Sequence, residues 1–96
     1  ILSSISDDSF KTLIQLLKTK NFTEVRKWVG LNIDNEPSLF FRKLYDNLGQ
    51  YMKPKSIPQV VLVLADYQYK SAFVADQEIN FVACLTQIMV EADWQD

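Results

Sequence analysis

The sequence predicts an all-α fold, a single five-helix bundle spanning residues 1–96, and three observations carry that reading. Apolar residues recur at i, i+3, i+4 and i+7 in successive segments, each bounded by a capping residue, a proline or a glycine. The one run that reads as strand, Val60-Val61-Leu62-Val63-Leu64, has no second run to pair with, and a lone strand cannot satisfy its backbone groups. Its apolar pattern also continues through Ala65, Tyr67 and Ala72, as a helix would. A chain of 96 residues, 48% hydrophobic and 23% charged, is an ordinary globular domain, long enough to bury a core without metal or disulfide.

Taken in order, the first helix is predicted over 7–19. Ser6 is its N-cap, and Asp7 and Asp8 place negative charge where the helix dipole favours it. Phe10, Leu13, Ile14 and Leu17 form its apolar face, and Lys18 and Lys20 close it with the sign suited to a C-terminus. Asn21 and Glu24 have capping-box spacing for a short second helix. Its face is Phe22, Val25 and Val29, with Trp28 beside it and Gly30 near its natural stop. Asp34 or Asn35 caps the third helix, and Pro37 is tolerated in its first turn. Phe41, Leu44, Leu48 and Tyr51 step along one side, which Leu39 and Phe40 widen, and Lys53 before Pro54 marks the end. Ser56 is the expected cap of a fourth helix over 57–72. A short link then leads to Asp76, the N-cap of the last helix, with Glu78 in its first turn.

That last helix, over 76–94, is the one the other segments are arranged to cover. Ile79, Val82, Ala83, Met89 and Val90 form one apolar face; Phe81, Leu85, Ile88 and Ala92 form a second. Asn80, Gln87 and Glu91 are left as a narrow polar stripe, with Cys84 within it as a small, half-buried filler. A helix apolar almost all round is buried on more than one side. It is therefore either the centre of the bundle or shared between the bundle and a partner. Trp28, Phe40, Tyr69, Phe73 and Trp94 add more aromatic surface than a core of this size need absorb, which reserves apolar area for a partner.

Catalytic equipment is sparse. Without a histidine the chain lacks the commonest general base and the commonest metal ligand, and with one cysteine it can form neither an internal disulfide nor a zinc cluster. Gly30 and Gly49 are the only glycines, too few for a phosphate-cradling loop. Nothing here points to an enzyme; only a pocket converging Asp66, Tyr67 and Glu78 would revive that class. The net charge of −2 and the scattered lysines and arginines, of which Lys53 and Lys55 around Pro54 are the nearest thing to a basic knot, give no nucleic-acid footprint. No apolar run approaches the ~20 residues of a membrane span, and no signal peptide is visible. A single free thiol fits a reducing, cytoplasmic compartment. The absence of an initiator Met suggests a piece of a longer chain. Asp66, inside an otherwise apolar helix, marks either solvent contact, a cap on a neighbouring N–H or a contact between subunits.

Some of these residues also resemble a known family. The run Val63-Leu64-Ala65-Asp66-Tyr67-Gln68-Tyr69, a small-residue link, and then Asp76-Gln77-Glu78-Ile79-Asn80-Phe81-Val82-Ala83-Cys84-Leu85 is similar to the C-terminal collar domain of sliding-clamp loader ATPase subunits. These are the replication factor C small subunits and the T-even-type phage clamp loaders. The phage branch is resembled further by Ile1-Leu2-Ser3, by Leu17-Lys18-Thr19-Lys20-Asn21, by Val25-Arg26 and by the ending Glu91-Ala92-Asp93-Trp94. One departure stands out: the turn Ser71-Ala72-Phe73-Val74-Ala75 lacks the glycine usual in the cellular loaders.

The resemblance implies a helical collar that holds five subunits in a ring, in the host cytoplasm if the chain is viral. It implies ATPase modules upstream, which would bring ATP and magnesium, and contact with DNA and the sliding clamp through the parent chain alone. In this segment it implies no catalytic residue and no cofactor. The candidate subunit-interface residues are Trp28, Phe40, Asp66, Tyr67, Tyr69, Phe73, Met89 and Trp94. Full burial of Trp28, Phe40, Phe41, Met89 and Trp94 in a monomer would remove the motive for an interface. The alternative is a monomeric adaptor that takes a partner helix in one apolar groove.

Overall fold

A computed structural model describes residues 7–32 and 37–94. Its helices are α1 (Asp7–Lys18), α2 (Phe22–Asn32), α3 (Pro37–Tyr51), α4 (Ile57–Ser71) and α5 (Gln77–Glu91), with a 3₁₀ turn at Pro54–Ser56. The described residues form no strand, only an isolated antiparallel bridge between Met52 and Trp94. The all-α five-helix bundle is the fold the sequence predicts. The expected caps at Ser6, Asp34 and Asn35 lie outside the described residues.

Local chemistry explains most of the boundaries. The end of α1 is closed by the Asn21 N–H on the Leu16 carbonyl (3.1 Å) and the Lys20 N–H on the Leu17 carbonyl (3.2 Å), with Lys20 at φ 57°. This is a Schellman closure with lysine at the left-handed position that glycine usually fills. In α2 only half of the capping box forms. Asn21 Oδ1 accepts the Glu24 N–H at 3.3 Å, but the Glu24 carboxylate turns to Lys27, also at 3.3 Å. Gly30 does not stop this helix. It keeps a negative φ, and Asn32 Nδ2 donates to the Trp28 carbonyl at 2.9 Å, carrying α2 through to Asn32.

Ser56 does not cap α4, contrary to expectation. Its backbone is already helical (φ −95°, ψ −11°), whereas a capping side chain needs an extended one. Its buried hydroxyl donates to the Lys53 and Asp93 carbonyls, both at 3.2 Å, and the Lys53 N–H reaches the Asp93 carbonyl at 2.9 Å. The α3–α4 turn is thereby stitched to the chain leaving α5. The turn before α5 needs no glycine, because none of its residues takes a positive φ. The Phe73 and Val74 N–H groups close on the Lys70 carbonyl, and Gln77 Nε2 donates to the Ser71 carbonyl at 2.8 Å. Asp76 then caps α5 as expected, accepting the Ile79 N–H at 3.2 Å.

In the centre, α5 packs against α4, α2 and α1, and α4 packs in turn against α3. Phe81 sits fully buried, edge-on to Phe40 (4.9 Å between ring centroids) and stacked on Phe41 (5.1 Å). Trp28 completes the aromatic cluster 6.0 Å from Phe40, and its Nε1 donates to the Ser9 carbonyl at 3.0 Å, which ties α2 to α1. Leu13, Leu17, Val25, Leu85 and Ile88 belong to the same buried cluster. Close packing of this kind is what selects one arrangement among the helical alternatives.

Candidate interaction surface

The helical period puts the two apolar sides of α5 in different surroundings. Phe81, Leu85 and Ile88 face the core, as the second predicted face requires. The first predicted face is mostly outside: Ile79 is 68% and Val90 70% exposed, with Val82 and Ala83 half-buried between them, and only Met89 goes into the core. The stripe expected to be polar and solvent-facing is divided. Asn80 and Cys84 point inward, and Asn80 Nδ2 reaches the Tyr67 carbonyl at 3.3 Å. Satisfying that amide on the α4 backbone is what allows a polar residue into the interface between the two helices. Cys84 is fully rather than half buried, and burial, helped by the charge of Asp66, pushes its thiol up to about 12. A thiol held protonated in this way is a packing group rather than a nucleophile.

The open face of α5 forms one wall of a groove of about 650 Å3 whose other wall is α2. Ile79, Val82, Ala83 and Val90 line it with Phe22, and Arg26, Glu78 and Glu91 set charges along it. A second groove, about 600 Å3, runs between α3 and α4 and is lined by Leu39, Phe41, Tyr45, Val61, Leu64 and Ala65, with Arg42 and Gln68. The two grooves share no residue. Beside the second, on the outward side of α4, stand Leu62 and Tyr69. Phe73 follows just beyond the helix end, its ring 5.1 Å from that of Tyr69.

The eight candidate interface residues divide in the same way. Trp28, Phe40 and Met89 are core residues and present no surface in the monomer. Phe41 is buried as well, so of the five residues on which the interface motive was staked only Trp94 stays partly exposed. Trp94 packs against the core beside Met52. Tyr69 and Phe73 are outside, each 70% exposed. Asp66 is exposed and pairs with Lys70 at 3.0 Å, an attraction that raises the Lys70 ammonium above its usual range. Tyr67 is half-buried under the same lysine, 5.1 Å from its ring centroid.

Sequence reading put Phe22 in the apolar face of α2 and Ile79 and Val90 in one of the two apolar faces of α5, and gave Leu62 no face; all four are exposed. A signal for Leu62 was present. Five consecutive apolar residues in a helix, at ~100° each, sweep the whole circumference, so one of them must point away from the core. Neither of the two grooves brings Asp66, Tyr67 and Glu78 together: Glu78 is in the α2/α5 groove, and the other two line neither. Among the described residues no three acidic, cysteine or histidine side chains come together as a metal-ligand set, and no helix is long and apolar enough to cross a membrane. No family model matches the chain, and comparison with curated proteins finds no match.

Proposed function

We propose that this chain is a helical oligomerisation domain, the collar of a sliding-clamp loader subunit, holding neighbouring subunits in a ring while ATP is hydrolysed elsewhere in the parent chain. The observation that carries this reading is the open face of α5, where Ile79 and Val90 stand in an apolar groove on the very helix that organises the core. Surface that a monomer leaves uncovered in this pattern marks a protein contact. The second apolar surface, the outward side of α4 and the turn just past it, supports a ring over a simple pair, because a ring joins each subunit to two neighbours through different faces. With Trp28, Phe40 and Met89 withdrawn into the core, the contact residues become Phe22, Ile79, Val82 and Val90 on one side, with Leu62, Tyr69 and Phe73 on the other. Partners are other loader subunits; DNA, the sliding clamp, ATP and magnesium belong to the parent chain.

The alternative, a monomeric adaptor holding a partner helix, draws on the α2/α5 groove alone and leaves the second surface without a role. Light scattering over a concentration series separates the two readings. The collar reading expects a mass that rises with concentration towards a closed multiple of 11.1 kDa. A monomer at every concentration up to about 1 mM, which leaves less than ~4 kcal/mol for association, sinks it.

A further inference from the structure

We propose that the α2/α5 groove of one copy seats the α4 ridge of a second copy, so that copies join head to tail. Resting on the oligomerisation reading above, this adds which surfaces meet. The ridge consists of Leu62 (66% exposed), Tyr69 and Phe73. The eleven positions separating Leu62 from Phe73 equal those separating Ile79 from Val90. At ~1.5 Å per residue, ridge and groove each run for roughly 16 Å.

Charge favours ridge in groove. Arg26 lies within the groove one helical turn from Gly30, which neighbours Glu78. Neither Arg26 nor Glu78 forms an ion pair with another described residue. On the ridge, Asp66 lies between Leu62 and Tyr69, and Lys70 lies at the Phe73 end. With Leu62 against Val90 and Phe73 against Ile79, Asp66 falls towards Arg26 and Lys70 towards Glu78; with the ridge reversed, Asp66 still falls towards Arg26 and Lys70 towards Glu91. In either direction both contacts are opposite in sign, the complementarity that suits the ridge to the groove. A two-fold pairing of groove with groove does the reverse. Bringing Ile79 of one copy onto Val90 of the other sets Glu78 against Glu91 at both ends, like charge on like.

The test is light scattering on the wild type, on Ile79→Glu, on Leu62→Glu and on an equimolar mixture of the two variants. Both positions are exposed, so thermal melts should match the wild type. Head-to-tail joining requires a mass above a dimer for the wild type and a monomer for each variant alone. The mixture must give a dimer and stop there, because only one intact groove and one intact ridge can meet. In a second measurement Arg26→Asp and Asp66→Arg should each weaken association about tenfold, and the double variant should recover it. If Leu62→Glu still pairs while Ile79→Glu does not, or if the mixture stays monomeric while the wild type assembles, head-to-tail joining is overturned and the oligomerisation reading stands. A wild type that never associates overturns both.

Discussion

The two long sides of α5 are built from the same residue types and have opposite fates. Phe81, Leu85 and Ile88 are sealed in the core, Phe81 against the rings of Phe40 and Phe41, while Ile79 and Val90 stand in an open groove one third of a turn and more away. Nothing in the side chains themselves separates isoleucine 88 from isoleucine 79. The difference is made by the other four helices, whose buried residues close over one side only. Apolar surface within a helix is thus of two kinds: one stabilises the monomer, and the other is left open.

The sharpest way to break this comparison is to truncate one residue on each side. Phe81→Ala should cost about 4 kcal/mol in a urea titration, since it empties the centre of the ring cluster, and Ile79→Ala should stay within about 0.5 kcal/mol. Equal losses would mean that the outer face is covered in the monomer after all. Next in size is the behaviour of Cys84, the buried group of the inner side. In the folded chain its thiol is pushed up to about 12 from an ordinary 9.0, chiefly by burial. Its contribution to stability is therefore complete below about pH 9 and is lost as pH rises towards 12. At pH 8 a thiol reagent should modify Cys84 only as fast as the chain opens; immediate labelling would put it on the open side.

A smaller effect is expected where both sides share one anchor. Asp76→Ala removes the side chain that accepts the Ile79 N–H, and the start of α5 should lose about 1 kcal/mol with no change in association. The smallest effect lies outside α5 and has the opposite sign. Lys20 holds a left-handed backbone at the end of α1, so Lys20→Gly should raise stability by about 0.5–1 kcal/mol in the same urea titration.

Much of the bundle was legible in the residue pattern because caps and helical periodicity act locally. Asp76 at the start of α5, Pro37 at the start of α3 and the phase of Phe10, Leu13, Ile14 and Leu17 need only their own segment to be read. What was not legible depended on contacts distant in sequence. Ser56 looks like a cap until Asp93, 37 positions on, offers its carbonyl. Asn80 looks like a surface residue until the Tyr67 carbonyl takes its amide. Trp28 looks like surplus aromatic surface until Ser9 accepts its N–H and Phe40 its ring.

The candidate surface followed the same division. The sequence by itself determined that α5 carries apolar residues on two sides and that the run Val60–Leu64 carries them right round one stretch of α4, so that some of this surface had to remain open. Only the tertiary structure decided which part. The bundle has a fixed number of helices to place, and each apolar side is covered or left open according to where its neighbours come to rest. That choice is made by packing across the whole chain, which no single segment records.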